Sequence, residues 1–98
     1  MELKGKQKAY LKSIGQKFEV LLRVGDKGVT PSVIASLNEV LEARELVKIS
    51  IQNPDRVYRK ECITELAGKT DSVIVNIIGK TALLFKVNPE KPIISKKL

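Results

Sequence analysis

The sequence predicts a single α/β domain (α+β-like, in two layers) in which helices pack against a four-stranded mixed sheet. Segments with a helical hydrophobic period alternate with short runs rich in β-forming residues, in the order α-β-α-β-α-β-β. The chain has 98 residues, of which 43% are hydrophobic, and this is enough for one core. Strands joined through helices should lie parallel, whereas the last two should form an antiparallel hairpin.

The first helix is predicted over residues 3–18, because its apolar residues fall within a narrow arc at 100° per residue. Three lysines form an i, i+4, i+8 row beside that arc: Lys4, Lys8 and Lys12. The run Val20–Val24 is rich in β-forming residues and predicts the first strand. Gly25-Asp26-Lys27-Gly28 then ends that strand.

Two helix starts are marked by capping residues. Thr30 can cap the second helix and Pro31 suits its first position, so this helix should run to about Ala43. Asp55 can cap a third helix that runs to about Lys69, in which Cys62 fills space in the core. The remaining strands are predicted at 46–51, 73–78 and 81–87, with a tight hairpin turn at Gly79-Lys80. The domain then spans 1–88, and 89–98 form a basic, flexible tail.

Side chains alternate between the two faces of a strand, so each strand can be divided into two sets. The wholly apolar set is expected to face the second and third helices: Val20, Leu22, Val24, Val47, Ile49, Ile51, Val73, Val75, Ile77, Leu83, Phe85 and Val87. The other set is mixed and basic: Leu21, Arg23, Lys48, Ser50, Ile74, Asn76, Ile78, Ala82, Leu84 and Lys86. We expect that second face to be partly open, with the first helix covering some of it.

The charge balance indicates a polyanionic partner, since 18 Lys and Arg against 11 Asp and Glu give a net charge of +7. The single cysteine cannot form an intrachain disulfide, and with no histidine the chain cannot build a zinc finger. This cysteine usage suits a reducing compartment. No apolar run approaches the length of a membrane helix, and no signal peptide is evident. We therefore expect a cytoplasmic protein, as a monomer and without a cofactor or metal.

Little in the sequence supports catalysis. Without histidine the commonest acid/base residue is absent, and the Glu61/Glu65 pair is typical of a solvated helix face. Gly79-Lys80-Thr81 resembles the end of a P-loop, but position 74 is isoleucine where that motif needs glycine. We expect neither an enzyme nor a small-molecule substrate.

The strongest binding motif is the glycine-bounded loop at 25–28. Its glycines allow a close backbone approach to a ligand, and the helix start that follows offers N–H groups to an anion. GxxG loops of this kind clamp the nucleic-acid backbone in KH domains. The alternative is an ordinary strand-to-helix turn. Further cations could extend the surface, on the open sheet face at Arg23, Lys48 and Lys86, on the hairpin at Lys80, and on the first helix at Lys4, Lys8 and Lys12.

Aromatic residues are scarce, which argues against a platform that stacks bases on exposed rings. Phe85 belongs to the predicted core face, and Tyr58 is left as a candidate for stacking. Recognition should therefore depend on backbone, shape and charge.

Four segments in order resemble the CRM (chloroplast RNA splicing and ribosome maturation) domain, and in particular its stand-alone bacterial YhbY-like members. The resemblance covers residues 3–87. It is carried by Lys-Gln-Lys and Tyr-Leu-Lys within 6–12, Val-Gly-Asp-Lys-Gly-Val-Thr at 24–30, Glu-Leu-Val-Lys at 45–48, and Ile-Gly-Lys-Thr with Leu-Leu-Phe-Lys within 78–86.

The resemblance implies an RNA-binding fold like the C-terminal domain of translation initiation factor three, with a KH-like GxxG loop. It also implies an assembly factor that binds rRNA in precursors of the large (50S) ribosomal subunit. On this basis Gly25, Asp26, Lys27 and Gly28 form the RNA-contacting loop, and Lys12, Lys48 and Lys86 join the basic surface. The chain departs from the family pattern at Asp26, which is acidic, at Arg44, and at Phe85-Lys86 in place of Tyr-Arg.

Two other functions are weighed against RNA binding. A protein-interaction module would use an apolar patch on the open sheet face, formed by Leu21, Ile74, Ile78 and Leu84. A membrane-surface protein would use the basic first helix, but that helix has no tryptophan and its apolar stripe suits a core. We rank the membrane hypothesis last.

Overall fold

The chain folds in the predicted order, and a computed structural model describes residues 2–98. The helices are α1 (Gly5–Gly15), α2 (Pro31–Arg44) and α3 (Arg56–Thr70), followed near the C-terminus by a short 3-10 helix, η1 (Ser95–Lys97). The strands are β1 (Val20–Val24), β2 (Leu46–Ile51), β3 (Val73–Ile78) and β4 (Thr81–Phe85). α1 is shorter than the predicted 3–18, and β4 ends before the predicted Val87.

The two predicted helix caps are present. The Thr30 hydroxyl accepts a hydrogen bond from the Val33 N–H at 3.2 Å, and Pro31 is the first residue of α2. The Asp55 carboxylate accepts hydrogen bonds from the N–H groups of Val57 at 2.9 Å and Tyr58 at 3.3 Å. Because these side chains satisfy N–H groups that have no partner within the helix, they fix where α2 and α3 begin.

The four strands form one mixed sheet in the order β1-β2-β4-β3. β1 and β2 are parallel and connected through α2, whereas β4 lies antiparallel to both β2 and β3. This confirms the predicted fold class. Helices α2 and α3 pack on one face, and α1 packs on the other face across β2 and β3.

Each face of the sheet has its own apolar core. The core under α2 and α3 contains Val24, Leu37, Leu41, Val47, Ile49, Ile51, Cys62, Ile63, Leu66, Ala67, Ala82 and Leu84. The core under α1 contains Leu3, Leu11, Leu46, Val75, Leu83 and Phe85. α1 lies directly on β4, since a Cβ at Gly15 would stand 2.5 Å from Leu83 Cδ1. α1 therefore covers much of this face, while Leu21, Arg23 and Ile78 stay exposed on it, so the face is partly open as expected.

The predicted facing is wrong for β4 and for β3 up to the bulge between Ile74 and Asn76, after which Ile77 lies on the α2/α3 side as predicted. Val47 is paired with Leu84 and Ile49 with Ala82, so these side chains point together toward α2 and α3. The residues assigned to that face instead pack in the α1 core or against it: Val73, Val75, Leu83, Phe85 and Val87. Alternation separates the two faces of one strand, but it does not match them between strands when helices make both faces apolar.

Residues 88–98, within which we predicted a flexible tail, run back over the domain. Ile94 and Leu98 pack against the α1 core. Ahead of them, the fully buried Glu45 carboxylate accepts hydrogen bonds from backbone N–H groups along this segment. The donors are Asn88 at 2.7 Å, Ile93 at 2.7 Å, Ile94 at 2.7 Å and Ser95 at 3.0 Å, joined by the Ser95 hydroxyl at 2.7 Å.

Glu45 stays ionised in this position. Burial alone would raise its pKa, but the hydrogen bonds from Ser95, Asn88 and Ile93 favour the carboxylate and lower the pKa of Glu45 to about 2. Glu45 also ends α2 with a φ of +65°, which is unusual for a residue with a side chain. An uncommon backbone conformation is thus retained where one carboxylate joins α2 to the end of the chain.

Candidate nucleic-acid interface

Three connections meet at one end of the sheet, which we name the loop edge: Gly25–Gly28 after β1, Gln52–Asp55 after β2, and Gly79-Lys80 between β3 and β4. Two backbone hydrogen bonds hold them together. The Gln52 N–H donates to the Val24 carbonyl at 2.8 Å, and the Ile51 N–H donates to the Lys80 carbonyl at 2.8 Å. The GxxG loop, the start of α3 and the hairpin tip are therefore neighbours.

The GxxG loop is a tight turn whose two glycines have different surroundings. The Gly28 N–H donates to the Gly25 carbonyl at 3.0 Å, and Asp26 and Lys27 between them are exposed. Gly28 is buried, has a φ of +66°, and lies so close to the Tyr58 hydroxyl that a Cβ there would collide with it. A Cβ at Gly25 would meet nothing within 4 Å. Gly28 thus seats the loop on α3, while Gly25 leaves its outer side open.

The start of α2 offers fewer free N–H groups than the sequence suggested. Pro31 has no N–H, Thr30 accepts from Val33 through its hydroxyl, and the Ile34 N–H donates to the Thr30 carbonyl at 3.0 Å. Within residues 2–98, the Ser32 N–H is therefore the one N–H group of this turn without a protein acceptor. An anion held here would depend on Lys27 and the loop backbone more than on the helix end.

Tyr58 belongs to the junction between the loop and α3. The side chain is half-buried and packs against the α2/α3 core. Hydrogen bonding to Cys62, itself a buried core residue as predicted, raises the pKa of Tyr58 above its ordinary value, so the phenol stays neutral. The ring supports the loop from beneath, which leaves little of it for stacking on a base.

The predicted cations fall into separate groups. Lys27 and Lys80 are exposed at the loop edge. Arg23 is exposed one residue before the end of β1, on the α1 face, where it is in register with Ser50. Lys48 is half-buried on that same face, and its Nζ lies 3.4 Å from the Gln16 carbonyl just after α1. The last group is exposed along α1, with Lys8 and Lys12 on the helix and Lys4 directly before it.

The prediction that Lys86 shares a face with Arg23 and Lys48 is wrong. It follows β4 two residues after Leu84 and points to the same side, toward α2. There it lines a cleft of about 430 Å³ that also contains Glu42 and Glu90, so carboxylates offset its charge. The shift has the same cause as the error in β4, because the phase of alternation was assigned to the wrong face.

Sequence reasoning missed a second basic cluster at the loop edge: Arg56, Arg59 and Lys60 in the first turns of α3. With Ile77 and Gly79 of the hairpin they line a cleft of about 460 Å³. Arg59 Nη1 donates to the Asn53 carbonyl at 2.9 Å, which fixes the guanidinium beside the β2–α3 connection. The signal was present in the i, i+3, i+4 spacing directly after the Asp55 cap.

The apolar patch proposed for a protein partner does not form one surface. Ile74 and Leu84 pack in the α2/α3 core, whereas Leu21 and Ile78 lie on the other side of the sheet. Leu21 is 39% exposed and Ile78 61% exposed, and they lie on strands at opposite edges of the sheet. The four residues cannot contact a partner together.

Within residues 2–98, the helices are too short and too polar to span a membrane. The same residues contain no cluster of three or more His, Cys, Asp or Glu side chains that could hold a metal ion. Glu61 and Glu65 are both exposed on α3.

Residues 3–86 match the family model of the CRS1/YhbY (CRM) domain. A protein of Pseudomonas aeruginosa named as a probable RNA-binding protein is 36% identical over 92% of this chain and 86% of its own length. The Bacillus subtilis protein YqeI, with the same description, is 34% identical over 90% of this chain and 92% of its own. A protein of Haemophilus influenzae named as an RNA-binding protein is 28% identical over 93% and 92%.

The fold is also similar to a solved structure. The solution structure of the Staphylococcus aureus hypothetical protein SAV1595 superposes with a TM-score of 0.81 and is 29% identical in sequence. The similarity covers 92% of this chain and 94% of the other. It therefore spans the α1 layer, the sheet and the α2/α3 layer together.

Proposed function

Because this chain belongs to the CRS1/YhbY (CRM) domain family, we propose that it binds RNA through the loop edge, by contacts to the phosphate backbone. It acts by binding and not by catalysis. The relatives named above are described as RNA-binding proteins, which supports RNA as the partner. In this proposal the protein is a monomeric assembly factor in the cytoplasm. It binds rRNA in precursors of the large ribosomal subunit.

The observation that carries the proposal is the convergence of exposed cations and a glycine-bounded loop at one edge of the sheet. Lys27 projects from a loop whose outer side is open at Gly25, and Lys80 lies on the adjoining hairpin. A phosphate beside Gly25 could approach the backbone without meeting a side chain. Lys27 is the cationic residue of the GxxG loop. Asp26 is exposed beside it and cancels its charge in the net charge of the loop.

Other cations extend this surface within the proposal. Arg23 adds a guanidinium near the end of β1, and Lys48 with Lys4, Lys8 and Lys12 adds charge on the α1 side. Lys86 is left out of the proposed surface because it shares its cleft with Glu42 and Glu90.

The test is a salt series of binding to fragments of large-subunit rRNA, with small-subunit fragments alongside. Four to six neutralised phosphates should give a slope of log K against log salt of roughly −3 to −5. Lys27→Glu should weaken binding at least tenfold, since it removes one contact and adds repulsion. The matched control is Lys91→Glu, an equal change of charge at an exposed position far from the loop edge.

Equal effects of the two variants would remove the loop from the mechanism. A flat salt dependence would contradict backbone binding altogether. Equal affinity for small-subunit fragments would leave RNA binding in place but contradict the role in the large subunit.

A further inference from the structure

We propose that the cleft between α3 and the β3–β4 hairpin is a second phosphate-binding site, so that bound RNA crosses the start of α3 from the GxxG loop. This inference rests on the proposed function. The cleft of about 460 Å³ is lined by Arg56, Arg59, Lys60, Ile77 and Gly79.

The charge of this cleft is not offset by its own walls. Three of the five lining residues are cations, and none of the five is acidic. Two other clefts have carboxylates beside their cations, with Glu42 and Glu90 near Lys86, and Glu19 near Lys17 and Arg44. Low-dielectric walls that carry one sign of charge raise the local concentration of the opposite ion.

Arg59 is held in place and retains an unused donor. Its Nη1 donates to the Asn53 carbonyl at 2.9 Å, so part of the guanidinium is already ordered. Over residues 2–98, the Arg59 Nε is a buried side-chain donor without a hydrogen-bond partner. A buried donor left unpaired is unfavourable, and a phosphate oxygen that reached Nε would satisfy it. Arginine suits this role because its planar fork matches phosphate geometry.

The opposite wall permits close approach. A Cβ placed on Gly79 would meet nothing within 4 Å, so this wall has room next to the backbone. Lys80 follows directly, and its carbonyl is bonded to the Ile51 N–H, which holds the hairpin tip against the end of β2. A phosphate in the cleft would therefore have a fixed backbone on one side and three cations on the other.

The first turns of α3 separate the cleft from the GxxG loop by the width of one helix. Tyr58 and Cys62 face Gly28 on one side of α3, while Arg56, Arg59 and Lys60 face the hairpin on the other. A strand that leaves Lys27 and crosses α3 reaches this cleft next. The two sites would then hold different phosphates of one RNA.

The double variant Arg56→Gln, Lys60→Gln tests this inference, since both side chains are exposed and outside the core. Binding to a large-subunit rRNA fragment is measured over a salt series. Loss of two single-strand phosphate contacts should flatten the salt slope by about 1.4 and weaken binding roughly twentyfold to thirtyfold near 0.1 M salt. The matched control is Lys69→Gln, Lys91→Gln, which removes the same charge from exposed positions away from the cleft.

The inference is supported if the cleft variant shows both effects and the control stays within about threefold of wild type. It is overturned if the cleft variant and the control behave alike. In that case Lys27→Glu, measured in the same series, shows whether RNA binding at the loop survives. If wild type itself does not bind, or Lys27→Glu has no effect, the proposed function fails first.

Discussion

At the scale of single residues, the sequence located the GxxG loop but not the difference between its two glycines. The motif at 25–28 and the helix start at Thr30-Pro31 are both where they were expected. That Gly28 rests on the Tyr58 hydroxyl depends on the packing of α3 against the β1–α2 loop, which no local pattern encodes. The same packing explains why Tyr58 supports the loop from beneath.

We predict that Gly28→Ala lowers the free energy of unfolding by about 2 kcal/mol, because alanine is strained at positive φ and its Cβ would meet Tyr58. Gly25→Ala is the control and should change it by less than about 0.5 kcal/mol, since its surroundings are open. Urea denaturation of both variants decides the point. Equal losses would mean that the loop is not seated on α3 as described.

A second residue, Glu45, has a structural role that the sequence did not reveal. Nothing in the local sequence indicates that its partners lie 43 to 50 positions later in the chain. A carboxylate after a helix usually suggests a solvated position, because ionised side chains are rarely buried without partners. Here the partners are backbone N–H groups of a segment that looked flexible.

We predict that Glu45 makes folding stability depend on acid pH. Its pKa is about 2 in the folded protein against an ordinary value of 4.5, so its contribution is complete above about pH 5. It is lost as the pH falls from there toward 2, and amounts to something on the order of 3 kcal/mol. Denaturation of wild type and Glu45→Gln from pH 2 to pH 7 is the measurement. The difference between the two should shrink toward low pH, and a constant difference would contradict this.

At the scale of elements, capping residues and hydrophobic periods were sufficient to place the three α-helices and the four strands within a few residues. The caps at Thr30 and Asp55 are local chemistry, so they could be read directly. The facing of β4 and of the first half of β3 could not be read from the sequence, because both sides of these strands are apolar and the pairing Val47–Leu84 is a long-range contact. The basic cleft at α3 was missed because it requires the hairpin and the helix to be adjacent.

At the scale of the whole molecule, the proposed binding surface and the contacts of Glu45 lie at opposite ends of the sheet. The loop edge carries the GxxG loop, Lys80 and the α3 cleft. The other end, where β2 begins, carries Glu45 and the segment that it holds. If the proposed function is right, substitutions at the Glu45 end should therefore change stability without changing RNA affinity.

We predict that the double variant Ile94→Ser, Leu98→Ser lowers the free energy of unfolding by about 2 kcal/mol, because it weakens apolar contacts with the α1 core while keeping every lysine. Its RNA affinity should stay within twofold of wild type at a temperature where both are folded. Thermal denaturation and the binding assay above measure the two quantities. A loss of affinity as large as that of Lys27→Glu would show that the two ends are coupled.

The placement of the tyrosines has a spectroscopic consequence. The chain contains two tyrosines and no tryptophan. Tyr10 is on the outside of α1, at 36% exposure, and Tyr58 lies beneath the GxxG loop. Protein grown with 3-fluorotyrosine should therefore give two fluorine resonances, one from the lysine-bearing helix and one from the loop. During a titration with RNA, each resonance would shift if the RNA contacts its own site. The two shifts together would show which sites the RNA reaches without any mutation.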